Sequence, residues 1–525
     1  MKLNNLYNFK NPVKNFLDID KIKLPNNVSS FDIEKLCWTE PINFRVKKKD
    51  DKYRTIKMPN ILNFVCAYEH FKNMSNFDDI QNIDPSHKRL SANIETGDFK
   101  SGEYDNQLED DFERLCIYDN LLKLDIKEYY GRIYTHKIDF QGHQERYVSN
   151  MNLGATNGLI MGNYLSLFFA EINLKNISND IANEITNLEI DCEFSYFSDD
   201  FYFFCNKKDN DRIVKIFDKV LEKYELERND DKKEIWTYEA FNNYNLTARY
   251  WKKLIAHCNI RLNKDKDNNK LYFINQIVYR ISKLEDDKLK KVFINNFFKL
   301  KYFRELPLEI FQVKNYDYHQ LCFILKFSPE SMLYAVDKFN LMESFDNRKL
   351  YKFLKVRYRE SLQEPFNEEQ LYFYFAIKIL HFTDILTNAK NDVLKSNNQI
   401  LISYYLKDSM FNAEDINILK SNYDEKYWFQ NYHLILYSAD LSANLEYSVD
   451  KYLIPFYAKD QINDKLAKKE KKALQRKSYM DFYTENILQR NSIIRDITDV
   501  NAEIEDYLRL KIEESEEAFT KEEDD

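Results

Sequence analysis

The stretch Tyr196-Phe197-Ser198-Asp199-Asp200-Phe201 sets two adjacent acids inside a run of aromatic residues. On its left stands Ile190-Asp191-Cys192-Glu193-Phe194-Ser195, and on its right Tyr202-Phe203-Phe204-Cys205. Aromatic and apolar flanks of this kind suit strands, and Ser-Asp-Asp is turn chemistry. The stretch therefore reads as a β-hairpin with both acids at its tip. Two like charges gain nothing from sharing a hairpin tip unless a positive group meets them. A hard divalent cation, which takes carboxylate oxygens, would do so. An isolated Asp-Asp pair is more often a plain solvated turn, so the sequence around it decides.

Working outward, the chain has 525 residues, 44% hydrophobic and 31% charged, which is globular composition with room for two to four domains. No apolar run reaches the length of a membrane span, and Met1-Lys2-Leu3-Asn4-Asn5 lacks the apolar core of a signal peptide. Seven scattered cysteines form no CxxC, which favours reduced thiols and a cytoplasmic protein. A net charge of −9 argues against an extended grip on a nucleic-acid duplex. All seven glycines lie between Gly97 and Gly162. A β-rich second half would lack its usual turn residue, whereas a helical one would not.

Upstream, Phe44 to Pro59 shows two alternating runs around Lys49-Asp50-Asp51-Lys52 and reads as a basic hairpin. Asn60 to Lys72 fits an amphipathic helix, and residues 75–106 read as a long polar loop, a lid or an insertion. Leu121 to Ile126 is a short strand ending at Asp125, and Gly154-Ala155-Thr156-Asn157-Gly158 is a flexible turn. Leu159 to Ile172 and Asp211 to Tyr224 read as helices. From about residue 263 apolar stripes recur at helical spacing, and composition suggests a HEAT-like array. Leu466 to Lys477 is a basic helix, and the C-terminal tail is acidic and expected to fray. The expected class is α+β, with a mixed domain over 1–262 and an all-helical, HEAT-like domain over 263–525.

Taken in order, these pieces resemble the fingers and palm of reverse transcriptases, over roughly residues 40–250. Asp125-Ile126-Lys127-Glu128-Tyr129-Tyr130 is similar to the family's first metal-binding strand end. Asn157-Gly158-Leu159-Ile160-Met161-Gly162 is similar to its glycine-led palm helix, and Phe197-Ser198-Asp199-Asp200 to its Y-x-D-D hairpin. Leu226-Glu227-Arg228-Asn229-Asp230-Asp231-Lys232 resembles the L-x-x-N-x-x-K segment that closes the palm. Arg54-Thr55-Ile56-Lys57-Met58-Pro59 looks like the fingers motif R-x-I-x-x-P. Phe197 in place of Tyr, Asn157 in place of Gln, and Met161-Gly162 in place of Ser-Pro depart from retroviral, retron and group II intron enzymes. With the helical half, the departures resemble bacterial abortive-infection (Abi) reverse transcriptases of the AbiK-like and prophage-encoded types. No R-x4–6-H nuclease spacing is present.

The resemblance implies a DNA polymerase of phage defence, template-independent and protein-primed, adding dNTPs by two-metal phosphoryl transfer. Asp125, Asp199 and Asp200 would hold Mg²⁺, or Mn²⁺. Lys232 would protonate pyrophosphate as general acid, although it could equally be a surface lysine. For the dNTP, Arg54 would grip the triphosphate, helped by Lys47, Lys48 or Lys49 unless these are only a solvated edge. Tyr130 would close on the sugar 2′ position, and Gly158 would let backbone approach the nucleotide. The product would be single-stranded DNA, covalently held by a tyrosine, with Tyr7 in a loose N-terminus as one candidate. A homo-oligomer in the bacterial cytoplasm is implied, without a membrane partner. Two alternatives stay open: an RNA-templated reverse transcriptase with a bound non-coding RNA, and an idle palm serving as a protein-binding scaffold.

Overall fold

The computed structural model describes residues 2–9, 12–24, 32–49, 52–91, 93–94, 97, 103–245, 277–284, 286–299, 303–304, 316–340 and 347–523. The fold is mixed α+β. A two-stranded hairpin is formed by β1 (Ile42–Lys49) and β2 (Lys52–Met58). A four-stranded sheet is formed by β3 (Asn120–Asp125), β4 (Cys192–Phe197), β5 (Asp200–Cys205) and β6 (Glu234–Trp236), in the order β4-β5-β3-β6 with every pairing antiparallel. His87 to Arg89 runs beside β4: Tyr196 N–H donates to His87 O at 2.7 Å and Arg89 N–H to Tyr196 O at 2.9 Å.

Period-two alternation divides the sheet into two different faces. Leu122, Leu124, Tyr196, Phe201 and Phe203 are fully buried on one of them. They meet two helices, α3 (Tyr164–Asn187) and α4 (Asn210–Lys223), the latter through Phe217, whose ring centroid lies 5.1 Å from that of Phe201. Ile213, Ile216, Phe217, Val220 and Leu221 recur at helical spacing and all are buried, which fixes the face α4 turns inward. The opposite face carries Leu121, Lys123 and Asp125 on β3, with Asp200, Tyr202 and Phe204 on β5. Helix α2 (Glu103–Ile117) covers part of it through a small separate cluster of Leu115, Tyr118, Leu121 and Phe204. A further N-terminal helix, α1 (Ile61–Phe71), is capped by the Asn60 side chain, which accepts from Leu62 N–H at 3.1 Å.

From Asp287 onward every named element of the described residues is helical. Asn367–Ile379 packs on Met332–Asn340 and Asn347–Gln363, and Trp428–Tyr437 on Gln399–Lys407 and Leu445–Tyr452. These are the near-neighbour contacts of stacked helices, and the last helix, Ile497–Glu523, returns onto Met332–Asn340 and Asn367–Ile379. The expected boundary at 262/263 lies outside the described residues. The two halves share one hydrophobic core that runs from Leu6 to Leu508. Tyr479 donates to Asn63 Oδ1 at 2.6 Å and Gln475 to Leu36 O at 2.7 Å. The free edge of β1 is closed by the start of helix Asn367–Ile379. Arg45 N–H donates to Asn367 Oδ1 at 2.9 Å and Lys47 N–H to Glu368 Oε1 at 2.8 Å.

Several sequence expectations change. The helix expected from Leu159 starts at Tyr164, because Gly162 takes φ +123° and Asn163 caps the helix by accepting from Ser166 N–H at 3.0 Å. The loop expected to reach 106 gives way to α2 at Glu103. The N-terminus is not loose where Tyr7 stands: the ring is buried, its hydroxyl donates to Pro59 O at 2.5 Å, and burial pushes the phenol well above its ordinary range. The basic helix, Leu466–Leu488, has most of its cations matched by acids. Lys468 and Lys472 meet Asp464 at 2.9 and 2.6 Å, Arg476 meets Asp450 at 2.8 Å, and Lys471 pairs with Glu34. The acidic tail is helical as far as Glu523.

Candidate active site

The carboxylates meet at the ends of two neighbouring strands. Asp125 closes β3 and Asp200 opens β5, and the two are register partners, so their side chains leave the same face of the sheet. Phe197 also pairs with Asp200, which leaves Ser198-Asp199 as a two-residue turn. Ser198 takes φ +56° there, a left-handed value that glycine usually supplies in such hairpins. The turn is tied to the end of β3 by Ile126 N–H donating to Asp199 O at 3.0 Å. Local geometry thus brings all three acids to one sheet end: a strand terminus, a strand start and the tight turn between strands.

The segment after α4 completes that end. Lys127 N–H donates to Glu227 O at 2.9 Å and Asn229 N–H to Asp125 O at 2.8 Å. These bonds deliver two side chains to Asp125, which is only 2% exposed. Asn229 Nδ2 donates to Asp125 Oδ1 at 2.9 Å, and the Lys232 ammonium pairs with Oδ2. Asp200 has a lysine of its own: Lys123 Nζ lies 3.1 Å from its Oδ2 and 5.4 Å from the Tyr202 ring centroid. Burial raises the Asp200 carboxyl above its ordinary value. Lys123 opposes that rise, while the neighbouring charges of Asp199 and Asp125 add to it. For Lys123, burial acts downward, but Tyr202 and Asp200 outweigh it and its ammonium is held above the ordinary range.

Tyr130 sits against the turn. Burial pushes its phenol up, with Glu171 and Asp199 adding to the rise, while Arg54 and a hydrogen bond with Ser198 act the other way. Arg54 itself is exposed on β2. Leu159 N–H donates to Tyr130 O at 2.7 Å and Gly158 N–H to Ile133 O at 2.8 Å, so the 158–159 strand of loop straps the tyrosine down. Gly158, expected to let backbone approach the nucleotide, has protein as its close neighbour. At φ +89°, a Cβ on Gly158 would stand 2.9 Å from Gly131 O. Lys47 faces the helical half, with its ammonium 3.7 Å from Glu369 and 4.8 Å from the Phe366 ring centroid.

Asp125, Asp199, Asp200 and Lys232 therefore converge. Tyr130 adjoins them, Arg54 reaches Tyr130 by its charge, and Gly158 acts one step back through the backbone. Sequence reading passed over Lys123 and Asn229 as site residues. Alternation could have found Lys123, which lies two residues before Asp125 and hence on the same face. It also passed over Arg89, which is held to Asp111 of α2, donates to Ser195 Oγ at 3.1 Å and lies 4.1 Å from the Tyr202 ring centroid. Lys88 and Glu171 form a further ion pair, almost wholly buried beneath the hairpin.

Whether the acids suit a metal ion is a question of donor chemistry. Among the described residues no three His, Cys, Asp or Glu side chains are gathered tightly enough to hold one. In this arrangement Asp125 is engaged by Lys232 and Asn229, and Asp200 by Lys123. The donors are nevertheless all carboxylate oxygens fixed at one sheet end, the set a hard divalent cation takes. Ligation would require Lys232 and Lys123 to release the carboxylates they now hold.

No family model matches the chain, and neither does any curated protein. A solved structure it is similar to is a telomerase from Candida albicans, in complex with a fragment of telomeric RNA. The identity is 13% and the TM-score 0.28, a level at which a shared fold is not established. The match covers 65% of this chain and 66% of that one, just under two thirds of the telomerase chain.

Proposed function

We propose that the chain is a divalent-metal-dependent nucleotidyltransferase of the reverse-transcriptase type. The observation that carries this is the register pairing of Asp125 with Asp200, with Asp199 in the turn between strands. Three carboxylates on a rigid sheet end, with an aromatic ring and an arginine beside them, suit phosphoryl transfer better than any other chemistry available here. Asp125, Asp199 and Asp200 would hold Mg²⁺ or Mn²⁺. The ion, when bound, would acidify the attacking hydroxyl and neutralise charge on the departing pyrophosphate. Arg54 would orient the dNTP triphosphate by paired hydrogen bonds, and the Tyr130 ring would pack on the sugar. Lys232, which pairs with Asp125, would give a proton to the leaving pyrophosphate once ligation frees it.

The finer proposal is a bacterial cytoplasmic DNA polymerase of abortive-infection phage defence, working without template as a homo-oligomer and primed by a tyrosine of its own chain. Probing the purified protein for nucleic acid tests it. Covalently attached single-stranded DNA is expected. A defined RNA co-purifying instead would favour templated reverse transcription. A specific observation favours a further reading, a palm that is idle and serves as scaffold: lysines already neutralise both register-paired carboxylates. On that reading the purified protein carries neither nucleic acid.

A further inference from the structure

The two carboxylates that face each other across β3 and β5 are each met by a separate lysine from a separate element. Like charges directly opposed on neighbouring strands repel, so the metal-free chain needs positive charge at this point. Lys232 comes from the loop after α4. Lys123 comes from β3 itself, and its direct register partner is Tyr202, not Asp200. Its ammonium instead reaches diagonally toward the strand end and stops 3.1 Å from Asp200 Oδ2. The Tyr202 ring, with its centroid 5.4 Å from the same ammonium, offers a second resting place on the sheet face. The lysine and Asp200 side chains are 25% and 26% exposed, so the pair is open to exchange with solvent ions.

We propose that Lys123 is a displaceable internal counter-cation. It satisfies Asp200 while the site holds no divalent ion, and it competes with that ion for the same carboxylate. Lys123 is thus a positioning residue that sets how much Mg²⁺ or Mn²⁺ the site needs, and it contacts neither substrate nor reacting atoms. This rests on the metal-dependent reading of the site. A lysine that stays on Asp200 when the ion binds would repel the ion through its charge but would keep the same accessibility to acetylation, provided the chain stays folded.

The test is a Mn²⁺ titration of the full chain, with free Mn²⁺ followed by electron paramagnetic resonance. Lys123→Met, which keeps the aliphatic stem on Tyr202, is expected to bind Mn²⁺ about fivefold tighter than the wild type, the upper range for a partly exposed ion pair. Lys123→Arg is expected to stay within about twofold of wild type, and the Met effect to vanish in an Asp200→Asn background. Equal or weaker binding by Lys123→Met, with wild-type binding intact, overturns the proposal and leaves the metal-dependent reading standing. No Mn²⁺ binding by wild type and Lys123→Met alike overturns both. Should Lys123→Met fail to fold, the wild type still decides. Acetylation of Lys123, read by mass spectrometry, is expected to rise as Mn²⁺ is added, and an unchanged rate overturns the proposal.

Discussion

Asp125 and Asp200 stand directly opposite each other at the ends of adjacent antiparallel strands, and each is held by a lysine from a different element. Around this pair some groups fix backbone position and others supply charge. The hydrogen bond from Ile126 N–H to Asp199 O and that from Asn229 N–H to Asp125 O do the first, and Lys123, Lys232 and Arg54 do the second.

Arg89 fastens α2 onto the carboxylate-bearing face. Its guanidinium is 7% exposed and its partner Asp111 3%. Arg89→Ala removes the close cation of a buried carboxylate and leaves it Arg114 at 3.8 Å and the Gln107 amide at 3.3 Å, so a loss toward the lower end of the about 3–5 kcal/mol typical of a broken buried pair is expected. Hydrogen exchange measured across residues 103–117 is expected to quicken, and the melting temperature to fall.

Gly158 answers to backbone packing. Gly158→Ala would force a Cβ against Gly131 O at φ +89°, and a loss of about 1–3 kcal/mol is expected in urea denaturation. The strap that holds Tyr130 by Leu159 N–H would shift with it. A variant as stable as wild type would show that the loop yields freely.

How much of this was legible beforehand follows the range of the interactions. Hairpin β1–β2, strand β3, hairpin β4–β5 and helix α4 declare themselves by local alternation or helical spacing. The three acids could be read because turn chemistry and strand ends are local too. Tyr7 was misplaced because its partner, Pro59 O, lies far along the chain. The seam joining Tyr479 to Asn63 and Glu368 to Lys47 was invisible for the same reason. The start of α3 was misread because the apolar run from Leu159 outweighed the Gly162-Asn163 cap, and β6 is only three residues long.

Glu368 gives the seam a pH dependence. Burial pushes its carboxyl well above the ordinary 4.5, with the Lys47 backbone hydrogen bond acting against the rise. An acid whose folded pKa is raised binds more protons folded than unfolded. Its contribution to stability is therefore complete below the unfolded value and declines as pH climbs from about 4.5 toward the folded value. Glu368→Gln, which keeps an acceptor for Lys47 N–H, is expected to lose less stability than wild type between acidic and mildly alkaline pH. Parallel melting curves at several pH values would check this. An identical pH slope in both proteins would contradict it.

The central claim is that the Asp125, Asp199 and Asp200 carboxylates perform nucleotidyl transfer. Incorporation of each labelled dNTP, by template-free full-length protein with Mg²⁺, tests it most directly when wild type is set beside Asp125→Ala. Label in the wild type and background in Asp125→Ala, lower by at least about a hundredfold, is the expected result. Equal label in both proteins would contradict the account, and none in either would contradict its template-independent form.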